Sequence, residues 1–311
     1  MHKVQSTITD KVIKQLWNIY KSKVGQVKII EDAIRKMDDT WNEDHIAFRT
    51  LPGKYCNLKT LASAFEILGY TKAGNYDFPE KKLKAISMNP PIKKGAHSAK
   101  VFPKVFISEL QLDSFSRAFK DCIQKYTNDV VDSPIEKLKI QFAQLKDDPK
   151  KILQFANEMG LFLGSGTMWR VPTYQDYELL RIESEYAAWT LVFGNTPNHF
   201  TVSVHLMENF RSLKQFNDFI QKKLKITLNK SGGNIIKGSP AVQLEQSATL
   251  ADECIVRFQD GFYKIPYAFV EFAYRHPLKG KKHDEMWESY YQGFVTDNAD
   301  KIFDSTNRRT G

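Results

Sequence analysis

Between Asp44 and Thr50 polar and apolar residues alternate, so that His45, Ala47 and Arg49 fall on one side of an extended chain and Ile46 and Phe48 on the other. After Asn57 the period changes. Leu58, Leu61, Ala62, Phe65 and Leu68 recur at helical spacing, and Gly69 stops the run. Three extended stretches follow, TKAGNYDF, KLKAISMN and VFPKVFISELQL, set apart by Pro and Gly. Residues 41–112 therefore predict a βαβββ module.

The same order returns later in the chain. In PNHFTVSVHL an alternating run places His199, Thr201, Ser203 and His205 on one face and Phe200, Val202, Val204 and Leu206 on the other. A helical face of Leu213, Phe216, Phe219, Ile220 and Leu224 comes next, then the extended stretches ITLNKSGGNIIKG, LEQSATLADECIVRF and YKIPYAFVEFAYR. His199 follows His45 by 154 positions (199 − 45) in a chain of 311, which points to a duplicated unit with its second copy at 197–276. Residues 113–196 carry amphipathic helical patterns in FSRAFKDCIQKY, IEKLKIQFAQL and KKILQFANEMGLF, with DSP at Asp132 as a cap and break. The first 40 residues and the tail at 277–311 also read as helical. The expected class is α+β: a single domain of residues 1–311, in which two βαβββ modules form a half-closed mixed sheet, with a helical insertion and helical termini.

Composition narrows the function classes. Hydrophobic residues make up 42% of the chain, enough for a packed core, yet no apolar run approaches the roughly 20 residues of a membrane helix. The start MHKVQSTITDKVIKQLW is too polar for a secretory signal, so a cytoplasmic protein with no membrane partner is expected. Cys56, Cys122 and Cys254 are too scattered for a disulfide framework or a thiolate metal site. The net charge of +9 comes from dispersed lysines, with KKLK and KGKKH as the densest clusters. Solvated faces account for them, and without interleaved aromatic platforms no nucleic-acid partner is implied. A basic balance does suit small anionic ligands. GSG at Gly164 lacks the strand-to-helix setting of a phosphate loop, and no CxxC or Ser-His-Asp signature stands out.

The remaining candidates lie on the alternating strands. Glu271, in FVEFAYR, shares a face with Tyr267, Phe269, Ala273 and Arg275, and a carboxylate among aromatic rings needs a cation or a metal. Taken singly, each histidine reads as a core imidazole and Glu271 as a partner of Arg275. Their recurrence at matching places in two modules favours a joint reading: His45, His199 and Glu271 as two imidazoles and a carboxylate around Fe(II), Mn(II) or Zn(II), with coordination positions left open for chemistry. Glu109, in VFISEL, is the expected counterpart of Glu271 and is left out of the metal set. Gln246 and Ser247, in LEQSATL, and His205 are expected pocket or substrate-binding residues. Surface positions are expected for His97, His276 and His283.

The βαβββ duplication resembles the vicinal oxygen chelate superfamily, in which paired modules curve around a metal. More narrowly, DHIAFRT, the ES-E-AW run in IESEYAAWTLVFG, PNHFT, KGSPAVQLEQSATLAD and FVEFAYR resemble the 2-oxoadipate dioxygenase/decarboxylase family, formerly a domain of unknown function. The resemblance runs from about Asp44 to Thr306. It implies Fe(II) held by His45, His199 and Glu271, with zinc or another divalent metal able to take its place in purified protein. It also implies Arg49 as the substrate-binding arginine and conversion of 2-oxoadipate, with O2, to 2-hydroxyglutarate and CO2, a step of lysine degradation. Spacing alone adds that His45 and Arg49, four apart on a strand, stand about 13 Å apart with Ala47 keeping the space between them clear. Sequence sets no oligomeric state. Two other readings stay open: a redox-neutral metal-dependent isomerase or lyase of the same fold, and a non-catalytic module that binds a small molecule.

Overall fold

The computed structural model describes residues 2–37 and 39–306. Helices α1 (His2–Lys23) and α2 (Gly25–Arg35) open the chain. On α1, Ile8, Val12, Leu16 and Tyr20 are buried at four-residue spacing, which gives the helix its one apolar stripe. The first module then runs β1 (Glu43–Thr50), α3 (Leu58–Ile67), β2 (Thr71–Phe78), β3 (Leu83–Asn89) and β4 (Lys104–Leu110). Asn57 caps α3 by accepting from the Thr60 amide at 2.9 Å. Gly69, at φ +90°, ends the helix in the left-handed turn that a side chain would strain.

Five helices follow: α4 (Arg117–Thr127), α5 (Pro134–Gln144), α6 (Pro149–Gly164), α7 (Tyr174–Glu183) and α8 (Glu185–Phe193). Helix α6 packs on α1 through Gly164, where an added Cβ would come within 2.9 Å of the Leu16 side chain. The second module consists of β5 (His199–Ser203), α9 (Leu213–Lys222), β6 (Lys237–Ser239), β7 (Leu244–Ala248), the hairpin β8 (Glu253–Phe258) and β9 (Gly261–Pro266), and β10 (Phe269–Arg275). Helix α10 (Thr296–Ile302) lies near the end of the described chain. Among the described residues no helix is long and apolar enough to cross a membrane.

Eight strands form one curled mixed half-barrel sheet in the order β2-β3-β4-β1-β5-β10-β7-β6. Its pairing repeats about the seam between β1 and β5. Strand β1 is parallel to β4 as β5 is to β10, β4 is antiparallel to β3 as β10 is to β7, and β1 meets β5 antiparallel. Ile46, Phe48, Phe200, Val202, Val270 and Phe272 are fully buried in the main hydrophobic core. The intervening residues on these strands turn to the concave side.

Three expectations about elements need correction. LEQSATLADECIVRF is not one strand but β7 and β8, and YKIPYAFVEFAYR divides into β9 and β10, with β8 and β9 forming a separate two-stranded sheet. Asp252 accepts hydrogen bonds from Gln26 on α2 and so draws the chain out of the main sheet, while Pro266 has no amide with which to continue the ladder. ITLNKSGGNIIKG contributes only the three-residue β6, because Gly232 and Gly233 adopt left-handed φ of +72° and +86°. The tail is helical only in α10 and short 3-10 turns. Residues 277–290 run instead as a strap tied down by isolated bridges Pro277↔Tyr290 and His97↔Met286, and residues 307–311 lie outside the described residues.

Candidate metal centre

His45 on β1, His199 on β5 and Glu271 on β10 come from three adjacent strands. The pairing sets His45 beside Thr201, and Thr201 beside Glu271, in one row across the concave face. One ligand atom from each of the three lies within 4.8 Å of the others. Nε2 of His199 is 3.1 Å from Oε2 of Glu271, and Nε2 of His45 is 3.8 Å from Oε1. All three side chains are buried.

Each donor is held from its far side. Nδ1 of His45 lies 2.8 Å from Oδ1 of Asp44, and since an ionised carboxylate only accepts, the proton sits on Nδ1 and Nε2 keeps its lone pair, with the Thr201 hydroxyl donating to it at 3.0 Å. Nδ1 of His199 lies 3.0 Å from Oδ1 of Asn198, which repeats the arrangement in the second module. Gln246 on β7 donates to Oε1 of Glu271 and accepts from Asn298 of α10 at 3.0 Å. Asp44 stands where the β1–β5 register shifts, and such a bulge re-aims a side chain. Arg275 grips it with Nε at 2.6 Å and Nη2 at 2.9 Å, and Lys104 approaches to 3.4 Å.

Burial is the largest single influence on Asp44, Glu271 and His199. It opposes ionisation of Asp44, but Arg275 and then Lys104 overcome it and hold the carboxyl well below the usual range. Glu271 is likewise kept below its usual range by His45 and His199, against the effect of burial. His199 is pushed down by burial in spite of Glu271, which leaves its ring neutral at neutral pH. Two inward imidazole nitrogens and an ionised carboxylate, all oriented, fit a divalent transition metal and leave part of its coordination sphere open.

Arg49 lies farther along β1. The motif IESEYAAW builds its surroundings: the guanidinium is 5.0 Å from the Tyr186 ring and 5.1 Å from Trp189, and Nη1 is 3.7 Å from the Glu185 carboxylate. Nη2 donates to Thr306 at 3.0 Å and to the Phe303 carbonyl at 3.3 Å. Among the described residues Nε and Nη1 are buried with no hydrogen-bond partner, an expensive state for a cation unless a ligand completes it. The triad, Ala47 and Arg49 line one narrow cavity, bordered also by Phe294 and by Ile302 and Phe303 at the end of α10.

Gln246 reaches this cavity, whereas Ser247 and His205 do not. Adjacent strand residues point to opposite faces, so Ser247 turns toward α9 and bonds Asn217 at 2.8 Å. Strand β5 stops at Ser203, and His205 sits in a 3-10 turn with its ring 4.7 Å from Tyr290, off the face of His199. Glu109 is not the counterpart of Glu271. It accepts from the Leu58 amide at 2.6 Å at the start of α3 and pairs with Lys84 at 2.9 Å. His97 and His276 pair with Glu285 and Glu245, and His283 meets Tyr290. Sequence reasoning missed Asp44, Asn198 and Glu185. A short polar acceptor directly before each histidine was the available signal.

Residues 8–290 match the sequence family described as 2-oxoadipate dioxygenase/decarboxylase. The chloroplastic/amyloplastic 2-oxoadipate dioxygenase/decarboxylase of Oryza sativa subsp. japonica is 37% identical over 306 residues, spanning 95% of this chain and 78% of that protein. Its chloroplastic namesake in Arabidopsis thaliana is 36% identical over 316 residues, spanning 96% and 79%. A crystal structure of the hydroxyglutarate synthase from Oryza sativa in complex with 2-oxoadipate superposes with a TM-score of 0.82 at 34% identity, covering 100% of this chain and 95% of that one. A glyoxalase-superfamily structure from Ralstonia eutropha JMP134, at 20% identity and a TM-score of 0.73, covering 93% and 86%, shares the fold. Matched along nearly its whole length, the chain belongs to the 2-oxoadipate dioxygenase/decarboxylase family.

Proposed function

We propose that the protein converts 2-oxoadipate and O2 to 2-hydroxyglutarate and CO2, with Fe(II) held by His45, His199 and Glu271. The observation that carries this reading is a buried two-histidine, one-carboxylate set sharing a cavity with a cation, Arg49, whose Nε and Nη1 have no hydrogen-bond partner among the described residues. Two nitrogen donors and one carboxylate oxygen are the ligand set of non-haem Fe(II) oxygenases. Bound there, iron supplies chelation of a 2-oxo acid and reductive activation of O2. Both oxygen atoms of O2 would enter the organic product: one in the new carboxylate at the former keto carbon, as the neighbouring carboxyl leaves as CO2, and the other as the new hydroxyl.

The chain's own residues bind and orient. Arg49 takes the far carboxylate through its free donors, and the aromatic rings around it keep that ion pair out of water. Ala47, between the two ends on the same strand, leaves room for the methylene chain. Gln246 fixes Glu271 and borders the substrate, while Ser247 and His205 take no part in binding it. Phe294, Ile302 and Phe303 exclude bulk water. Three unbridged cysteines agree with a reducing, cytoplasmic setting.

Anaerobic reconstitution with Fe(II), followed by O2 uptake and CO2 release on 2-oxo acids of graded length, tests the reading. Equal uptake of O2 and release of CO2 is expected with 2-oxoadipate. Turnover without O2 uptake would establish redox-neutral chemistry instead. His45→Ala, His199→Ala and Glu271→Ala should each lose iron, and full iron content in all three would refute the ligand set.

A further inference from the structure

The repeated register sets six positions about the centre: the three of the triad, Thr201, whose hydroxyl lies 3.0 Å from Nε2 of His45, Ala47, and one residue of β4. Glu271 on β10 stands beside Thr201 on β5, which stands beside His45 on β1. Rotation about the seam exchanges His45 with His199 and Thr201 with Ala47, because Ala47 pairs with His199 as Thr201 pairs with His45. The residue beside Ala47 on β4 is Phe106. Phe106 therefore holds, in the first module, the position that carries the carboxylate in the second. It lines the same cavity as the triad, and its ring lies 4.9 Å from Phe294, which stands 4.8 Å from the His45 ring.

We infer that Phe106 keeps one flank of the centre free of protein donors and so reserves that flank for a small ligand entering from the cavity. The inference rests on the reading of the triad as a divalent-metal site. A fourth side-chain donor takes up one of the positions that a three-residue ligand set leaves open to exchange. A hydrocarbon ring offers no lone pair, and its bulk keeps neighbouring polar groups from supplying one. The free flank also faces the right way. Ala47, the neighbour of Phe106, lies between His45 and Arg49, and Arg49 itself pairs with Ser108, two residues farther along β4. A ligand that enters at the Phe106 flank is thus already aligned along the track toward the Arg49 cation. Phe106 acts through the geometry it imposes, as a positioning residue.

Cobalt(II) titration of the metal-free protein, followed by visible absorption and then by addition of azide, reads the coordination directly. The wild type should bind one Co(II) and change its spectrum with azide. Phe106→His places a donor in a ring of similar size. It should bind Co(II) at least tenfold more tightly than wild type and answer azide with a smaller spectral change. Phe106→Leu, with no donor, should keep both wild-type properties. If the histidine variant does not fold, Phe106→Glu asks the same question with a carboxylate. Donor variants that titrate like Phe106→Leu and answer azide as fully would overturn the inference. A wild type that takes up no Co(II) would overturn the metal reading itself, and this inference with it.

Discussion

Oδ1 of Asp44 accepts the Nδ1 proton of His45 at 2.8 Å, and the same carboxylate is clamped by both edges of the Arg275 guanidinium. One buried anion thus orients an imidazole and neutralises an arginine and, at 3.4 Å, a lysine.

Asp44→Ala and Asp44→Asn separate these roles. Either change strands Arg275 as a buried cation, at a cost of about 3–5 kcal/mol in unfolding free energy measured with urea. Asparagine still offers His45 an acceptor, as Asn198 does for His199. Metal affinity should therefore fall about 10–100-fold in the alanine variant and clearly less in the asparagine variant, as read by metal titration.

Arg49→Met should keep the metal and lose the diacid. A charge-assisted hydrogen bond contributes about 1.5–3 kcal/mol, so KM for 2-oxoadipate should rise about 10–150-fold. For 2-oxohexanoate, of the same length without the far carboxylate, it should hardly move. Parallel effects on the two substrates would refute the arginine's role.

Gln246→Leu removes the amide that donates to Glu271 and accepts from Asn298, leaving Asn298 its bond to the Leu244 carbonyl at 3.2 Å. Metal affinity should fall about tenfold or more. Because Gln246 ties β7 to α10, faster amide exchange over 296–302 should accompany the loss. Unchanged exchange would show that α10 is held by other contacts.

His205 gives the protein a pH dependence away from the centre. Burial foremost, then the nearby Arg275 and Lys104 charges, push its imidazole down to about 3, against the opposite pull of Asp44. The unfolded chain therefore takes up a proton near pH 6.5 that the folded protein refuses. Stability from this residue is complete above pH 6.5 and is lost as the pH falls toward 3, at up to about 1.4 kcal/mol per pH unit. Urea midpoints measured from pH 8 to pH 4 should decline less steeply for His205→Gln than for the wild type.

The strands and both histidines are legible in the sequence because alternation is a local property, and its repetition at a fixed offset ties distant segments together. The pairing of Glu271 and the identity of Phe106 as its counterpart are not, because they depend on register. The β8–β9 insertion changes the count of residues between strands, so a match by order alone chose Glu109. Gln246 and Ser247 could not both face the cavity, and alternation already says so. Residues 277–290 carry no continuous helical period, and their strap-like course follows from contacts with distant residues such as His97 and Gln243.

The seam between β1 and β5 bears on ancestry. Its donors come from both sides, so neither copy of the repeat could assemble the centre alone, and an unfused ancestor would have built it only across the axis of a pair. In such a pair every substitution appears twice. A single polypeptide carries no such constraint, and here one copy has a phenyl ring and a guanidinium where the other has a carboxylate and a hydroxyl.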